Sequence, residues 1–68
     1  MRAIITPKQQ TKLLQLAGRM RLSRKALADE LDISGPTMRR VLDSEAPVVV
    51  TSKVFTSVND FLLENLGE

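Results

Sequence analysis

Residues 24–43 read RKALADELDISGPTMRRVLD. Apolar side chains recur at Leu27, Leu31, Ile33, Met38 and Val41, and the small Ala28 follows Leu27. The spacing predicts two short helices around a tight break, Asp32-Ile33-Ser34-Gly35. Two helices that cross at a steep angle need a small residue at the crossing, and Ala28 meets that need. The pattern is that of a helix-turn-helix. The second helix of such a unit can lie in the major groove of DNA, and here it carries Arg39 and Arg40.

Upstream, Thr6-Pro7-Lys8-Gln9 has the form of a helix start. Threonine can cap, proline suits the first turn, and Gln9 completes a capping box. A first helix is expected from there to about Met20, with Leu13, Leu16, Ala17 and Met20 inward. Ser23 is the expected cap of a second helix, Arg24 to Leu31. Gly35 is the expected cap of a third, because a residue before proline avoids helical geometry, with Pro36 in its first turn. Met38, Val41 and Leu42 would face inward, and the helix would stop near Ser44 because Pro47 follows. Thr51 or Ser52 would cap a last helix to about Leu66, stopped by Gly67. Val54, Phe55, Val58, Phe61 and Leu62 would form its buried face.

Between these helices, Val48-Val49-Val50 reads as extended. It could pair with residues 3–5 as a two-stranded ribbon, pair with a second subunit, or serve as a linker pinned to the core. The fold class expected is all-α: one small four-helix helix-turn-helix domain over residues 1–68, with residues 3–5 and 48–50 as the candidate ribbon. The start at Met1 and the stop at Gly67 suggest a complete small protein. The alternative is the DNA-binding head of a longer chain.

Composition narrows the function. The chain has 68 residues, no cysteine and no histidine. The usual general base, the thiol nucleophile and the commonest metal ligands are thus missing. No enzyme activity, metal site or cofactor is expected. No long apolar run marks a signal peptide or a membrane span, so a cytoplasmic protein without membrane contact is expected. Charge divides sharply along the chain. Residues 1–40 hold nine basic against three acidic residues, a net +6, and residues 41–68 carry a net −4. A polyanion partner for the basic half is the reading this asymmetry suggests, and a solvated basic surface is the alternative. Lys8, Lys12, Arg19 and Arg21 are further phosphate candidates, though not all could face one duplex.

Over residues 23–43, about a third of the chain, the pattern resembles the Cro and repressor family of phage helix-turn-helix regulators. The segment ISGPTMRRVL is also similar to the ISxxTVxRVL recognition helix of lactose-repressor-type proteins. The resemblance implies that Ser23, Arg24 and Lys25, opening the second helix, touch the DNA backbone. It also places base-reading positions at Gly35 and Pro36, but neither has a side chain that can hydrogen-bond a base. Direct readout then falls to Thr37, Arg39 and above all Arg40, which matches an arginine aimed at the groove. Ser34 and Gly35 become phosphate contacts at the helix N-terminus. For Arg39 and Arg40, a phosphate contact or a surface ion pair stays open as the alternative.

The function expected is a Cro-type transcription regulator, binding double-stranded DNA as a homodimer. Its dimer surface would lie in the acidic half, through the valine segment or the last helix. The alternative is an antirepressor that keeps the fold but forms a hetero-complex with a neighbouring repressor. The Gly35-Pro36 departure and the acidic second half motivate that alternative.

Overall fold

The computed structural model describes residues 2–65. Six elements follow in order: β1 (Arg2–Ile5), α1 (Pro7–Arg19), α2 (Arg24–Leu31), α3 (Gly35–Asp43), β2 (Val48–Thr51) and α4 (Ser52–Glu64). The expected stop of the last helix at Leu66 and Gly67 lies outside the described residues.

All four helices start on a hydroxyl. The side chains of Thr6, Ser23, Ser34 and Thr51 accept from the backbone N–H groups of Gln9, Ala26, Thr37 and Val54. Each such cap satisfies one orphan donor and contributes about 1 kcal/mol. At Thr6 the capping box is complete, since the Thr6 backbone N–H also donates to Gln9 Oε1 at 2.9 Å. Ser34 caps α3, not Gly35 as the sequence suggests; Gly35 is already helical. Glycine has no Cβ to clash with the proline ring, so the usual restriction on a residue before proline is relaxed here.

The two helix ends that shape the basic half share one device. Arg21 and Asp32 both adopt left-handed backbone, with φ of 57° and 56°. Arg21 N–H donates to the Gly18 carbonyl and Leu22 N–H to that of Ala17; Asp32 and Ile33 repeat the pattern on Asp29 and Ala28. These are Schellman closures. They turn the chain sharply and swing Leu22 and Ile33 onto the core. Sequence reading misses them because glycine, the usual residue there, is absent. The same turn corrects the place of Met20, expected inward but 41% exposed. Leu22, beyond the turn, packs against the core in its stead.

Val48–Thr51 pairs within the chain. β1 and β2 form an antiparallel ribbon in which Arg2 faces Thr51, Ile4 faces Val49 and Ile5 faces Val48. Alternation places Ile5, Val48 and Val50 inward and Ile4 and Val49 outward. The ribbon packs on α4, and α4 also touches α1 and α2. One apolar cluster results, built of Ile5, Leu13, Leu16, Leu27, Met38, Val41, Val58, Phe61 and their neighbours. No polar side chain is buried among the described residues. Phe55, expected inside with Phe61, is only half-buried.

One polar side chain ties α1 to α3. Gln10 Nε2 donates to the Val41 carbonyl at 2.8 Å and to the Ser44 carbonyl at 2.7 Å. It thereby satisfies carbonyls at the C-terminal end of α3 that the helix itself leaves free. Gln10→Ala is expected to lower stability by about 1–2 kcal/mol. Urea denaturation of wild type and variant checks this, and an unchanged midpoint would show that water replaces both bonds at no cost.

Candidate nucleic-acid interface

α2 and α3 are joined by three residues, Asp32–Ser34, and pack against each other. α3 buries Met38, Val41 and Leu42. Its outer side leaves Gly35, Pro36, Arg39, Arg40 and Asp43 exposed and Thr37 half-buried. The frame thus turns one arginine-bearing helical face to solvent.

A shallow groove between α2 and α3 gathers five of the eight residues singled out from sequence: Arg24, Lys25, Gly35, Arg39 and Arg40. Asp29 and Asp43 also line it, so four cations share the groove with two carboxylates. Ser23, Ser34 and Thr37 lie outside it, and each takes part in capping. Ser23 Oγ accepts from Ala26 N–H at 3.1 Å, which leaves its O–H proton free to donate to an anion. Ser34 Oγ accepts from Thr37 N–H and donates to Thr37 Oγ1 at 2.7 Å. Its proton is therefore spent, whereas the Thr37 proton is not.

Arg24 is engaged already. Its Nε lies 3.1 Å from each carboxylate oxygen of Asp43, and Nη2 lies 2.6 Å from Oδ1. This fork joins the start of α2 to the end of α3. The hydrogen bond from Arg24 holds the Asp43 carboxyl below its ordinary range, with attraction to Arg24 and Arg39 adding to it. Arg24 is raised in turn, first by the same hydrogen bond. Because the folded-state value of Asp43 is depressed, the pair's contribution is complete above the ordinary aspartate value. It is lost as pH falls below that through the folded value. At neutral pH the pair is intact. Both side chains are exposed, so its role is chiefly to orient Arg24 and to cancel one charge on the face.

Asp43→Asn is expected to release Arg24 while leaving the thermal midpoint nearly unchanged. The face then gains one net positive charge, and the slope of log affinity for duplex DNA against log salt steepens by about one per chain. An unchanged slope would mean that Arg24 does not reach a phosphate.

Gly35 has open space on its outer side; a Cβ placed there would meet nothing within 4 Å. Packing therefore does not require glycine at this position. Pro36 brings no N–H and the Thr37 N–H is spent on Ser34, which leaves Gly35 N–H for an anion at the start of α3.

No protein-family model, curated protein or solved structure gives a significant match to this chain. Its function must be argued from its own residues.

One of those residues escapes sequence reading. Arg2 lines a second depression together with Arg40, Val49, Val50 and Thr51. Arg40 borders both depressions, so the basic face runs from Lys25 through Arg39 and Arg40 to Arg2. Only the pairing of Arg2 with Thr51 brings the chain's start to this face, and no local pattern announces that register. Lys8 and Lys12 go elsewhere, to a groove between β1, α1 and α4. No helix among the described residues is long and apolar enough to cross a membrane.

Proposed function

We propose that this chain is a DNA-binding transcription regulator of the Cro kind, in which α2, the turn and α3 act as a helix-turn-helix. The observation that carries the reading is the convergence of Lys25, Arg39, Arg40 and Arg2 along the solvent face of α3 and its flanks. An exposed helix that presents two arginines, with further cations on both sides, fits the major groove and the phosphates bordering it. Arg40, central on this face, would fork onto guanine O6 and N7. Ser23, Lys25, Arg39 and Arg2 would hold phosphates, with Gly35 N–H at the helix start. Thr37 has a free proton for a base edge or a phosphate. Arg24, oriented and neutralised by Asp43, would add little to phosphate binding while that pair holds. Such a regulator works in the cytoplasm as a homodimer, since one module of this size buries only roughly 600–1,000 Å² on DNA.

The test is binding to duplex DNA from the promoters flanking the gene, followed by fluorescence anisotropy across a salt series. With about four phosphate contacts per chain, and so about eight in the homodimer, affinity should fall roughly 10⁴-fold between 50 and 200 mM salt. Absence of salt-dependent binding sinks the reading.

Two observations favour a second reading, a modulator that binds a neighbouring repressor. Gly35 and Pro36, which open α3, bring no side-chain hydrogen-bonding group. Asp29 and Asp43 stand among the cations of the face. Co-purification with that repressor, together with no affinity for DNA, would establish the modulator instead.

A further inference from the structure

The groove that receives Lys8 and Lys12 is the second feature of the surface. Ala3, Ile4, Phe55 and Leu62 supply its apolar part, and Arg2, Lys8 and Lys12 are its only charged residues. Its polar residues Thr6 and Gln9 are spent on each other in the capping box. Ile4 is 50% exposed, and Phe55, a half-buried aromatic, belongs to the groove wall.

α4 extends this surface. Leu63 follows Leu62 by about 100° around the helix, turning away from the groove. It is 56% exposed, the largest exposure of any large apolar side chain among the described residues. Asp60 and Glu64, three before and one after Leu63, lie farther round, about 160° and 200° from Leu62, and both are exposed. They line a separate depression with Glu30 of α2, and exposed Lys53 stands on the same flank two turns earlier. An apolar band from Ile4 through Phe55 and Leu62 to Leu63 therefore has a basic rim on one side and an acidic rim on the other.

We propose that this band is the surface on which a second copy of the chain docks. A band with opposite charges on its two rims is self-complementary. A two-fold axis along it sets Lys8 and Lys12 of one copy against Asp60 and Glu64 of its partner, and the reverse contact follows by symmetry. Leu63 of each copy then covers the apolar groove of the other. A partner with a uniformly charged surface would satisfy one rim and be repelled by the other. None of the residues lining this groove lines the groove between α2 and α3, so pairing leaves Lys25, Arg39 and Arg40 free, while Arg2 borders both surfaces. The surface stands on its own observation, and it would supply the homodimer that the proposed function calls for.

Sedimentation equilibrium without DNA tests it. Wild type at ~100 µM should approach twice the 7.6 kDa chain mass. Lys8→Glu/Lys12→Glu makes both rims acidic and Asp60→Lys/Glu64→Lys makes both basic. Each double variant alone should dissociate about tenfold to a hundredfold more readily. Mixed in equal amounts, they should recover the dimer, which also shows that both are folded. Leu63→Ser, a single exposed change, should weaken the wild-type dimer. A monomeric wild type overturns the proposal, as does a dimer indifferent to these changes or a mixture that stays monomeric. DNA binding by a monomer would leave the proposed function standing while this surface fails. A dimer that ignores DNA would do the opposite.

Discussion

Arg40→Ala is expected to weaken binding to the cognate duplex by about tenfold to a hundredfold. The size follows from a bidentate arginine–guanine contact, worth about 1–3 kcal/mol of discrimination. Folding should be untouched, because Arg40 is exposed and makes no hydrogen bond to another side chain among the described residues. Arg40→Lys separates the two roles open to this residue. Lysine keeps the charge but loses the planar fork. If Arg40 reads a base, the lysine variant keeps the salt slope of wild type and loses preference for the cognate sequence. If Arg40 only holds a phosphate, the lysine variant binds like wild type on every sequence. Arg2→Gln gives the complementary control: weaker binding on all sequences and a salt slope reduced by about one per chain. The measurement is anisotropy on cognate and scrambled duplexes at several salt concentrations. Equal affinity of wild type and Arg40→Ala for both would remove Arg40 from the interface.

Leu27→Ala is expected to cost about 2–5 kcal/mol of folding stability. Leu27 is completely buried, on the helix that supports α3. Alanine leaves a cavity that the surrounding helices fill only in part. The whole domain has roughly 3–10 kcal/mol to lose, so the thermal midpoint should drop by about 10–25 °C. Met20→Ala is the counterpart. Both residues are large and apolar, yet Met20 is substantially exposed, and its loss should change stability by about 0.5 kcal/mol or less. Thermal melts followed by circular dichroism decide the matter. Comparable losses in the two variants would show that Met20 is buried in solution and that α1 ends differently.

The contrast between these two residues marks how far the sequence could be read. α1 was legible at its start, because Thr6-Pro7-Lys8-Gln9 carries cap, proline and glutamine at fixed offsets. Its end was not. The apolar spacing that selects Leu13, Leu16 and Ala17 continues onto Met20, and nothing in Arg21 announces a left-handed turn. Asp32 is the same case: the break between α2 and α3 was evident, but the residue that makes it was not. Ser34, not Gly35, caps α3, because glycine escapes the restriction that proline places on the residue before it. The site divides similarly. Arg39 and Arg40 were legible as outward residues from the inward set Met38, Val41 and Leu42. The engagement of Arg24 with Asp43, the bracing of α3 by Gln10, and the arrival of Arg2 beside Arg40 were not.

By itself, then, the order of residues determined four helices, their starts to within a residue, and the full inward sides of α2 and α3. Those features depend on neighbours within about four positions, through caps, proline and helical periodicity. The tertiary structure alone decided that residues 2–5 pair with 48–51, that Arg2 extends the basic face, and that Lys8 and Lys12 leave it for the far groove. The physical reason is range. A cap or a helical stripe lowers the free energy of its own segment, whereas strand register and cross-helix bonds are selected only when the whole apolar core closes.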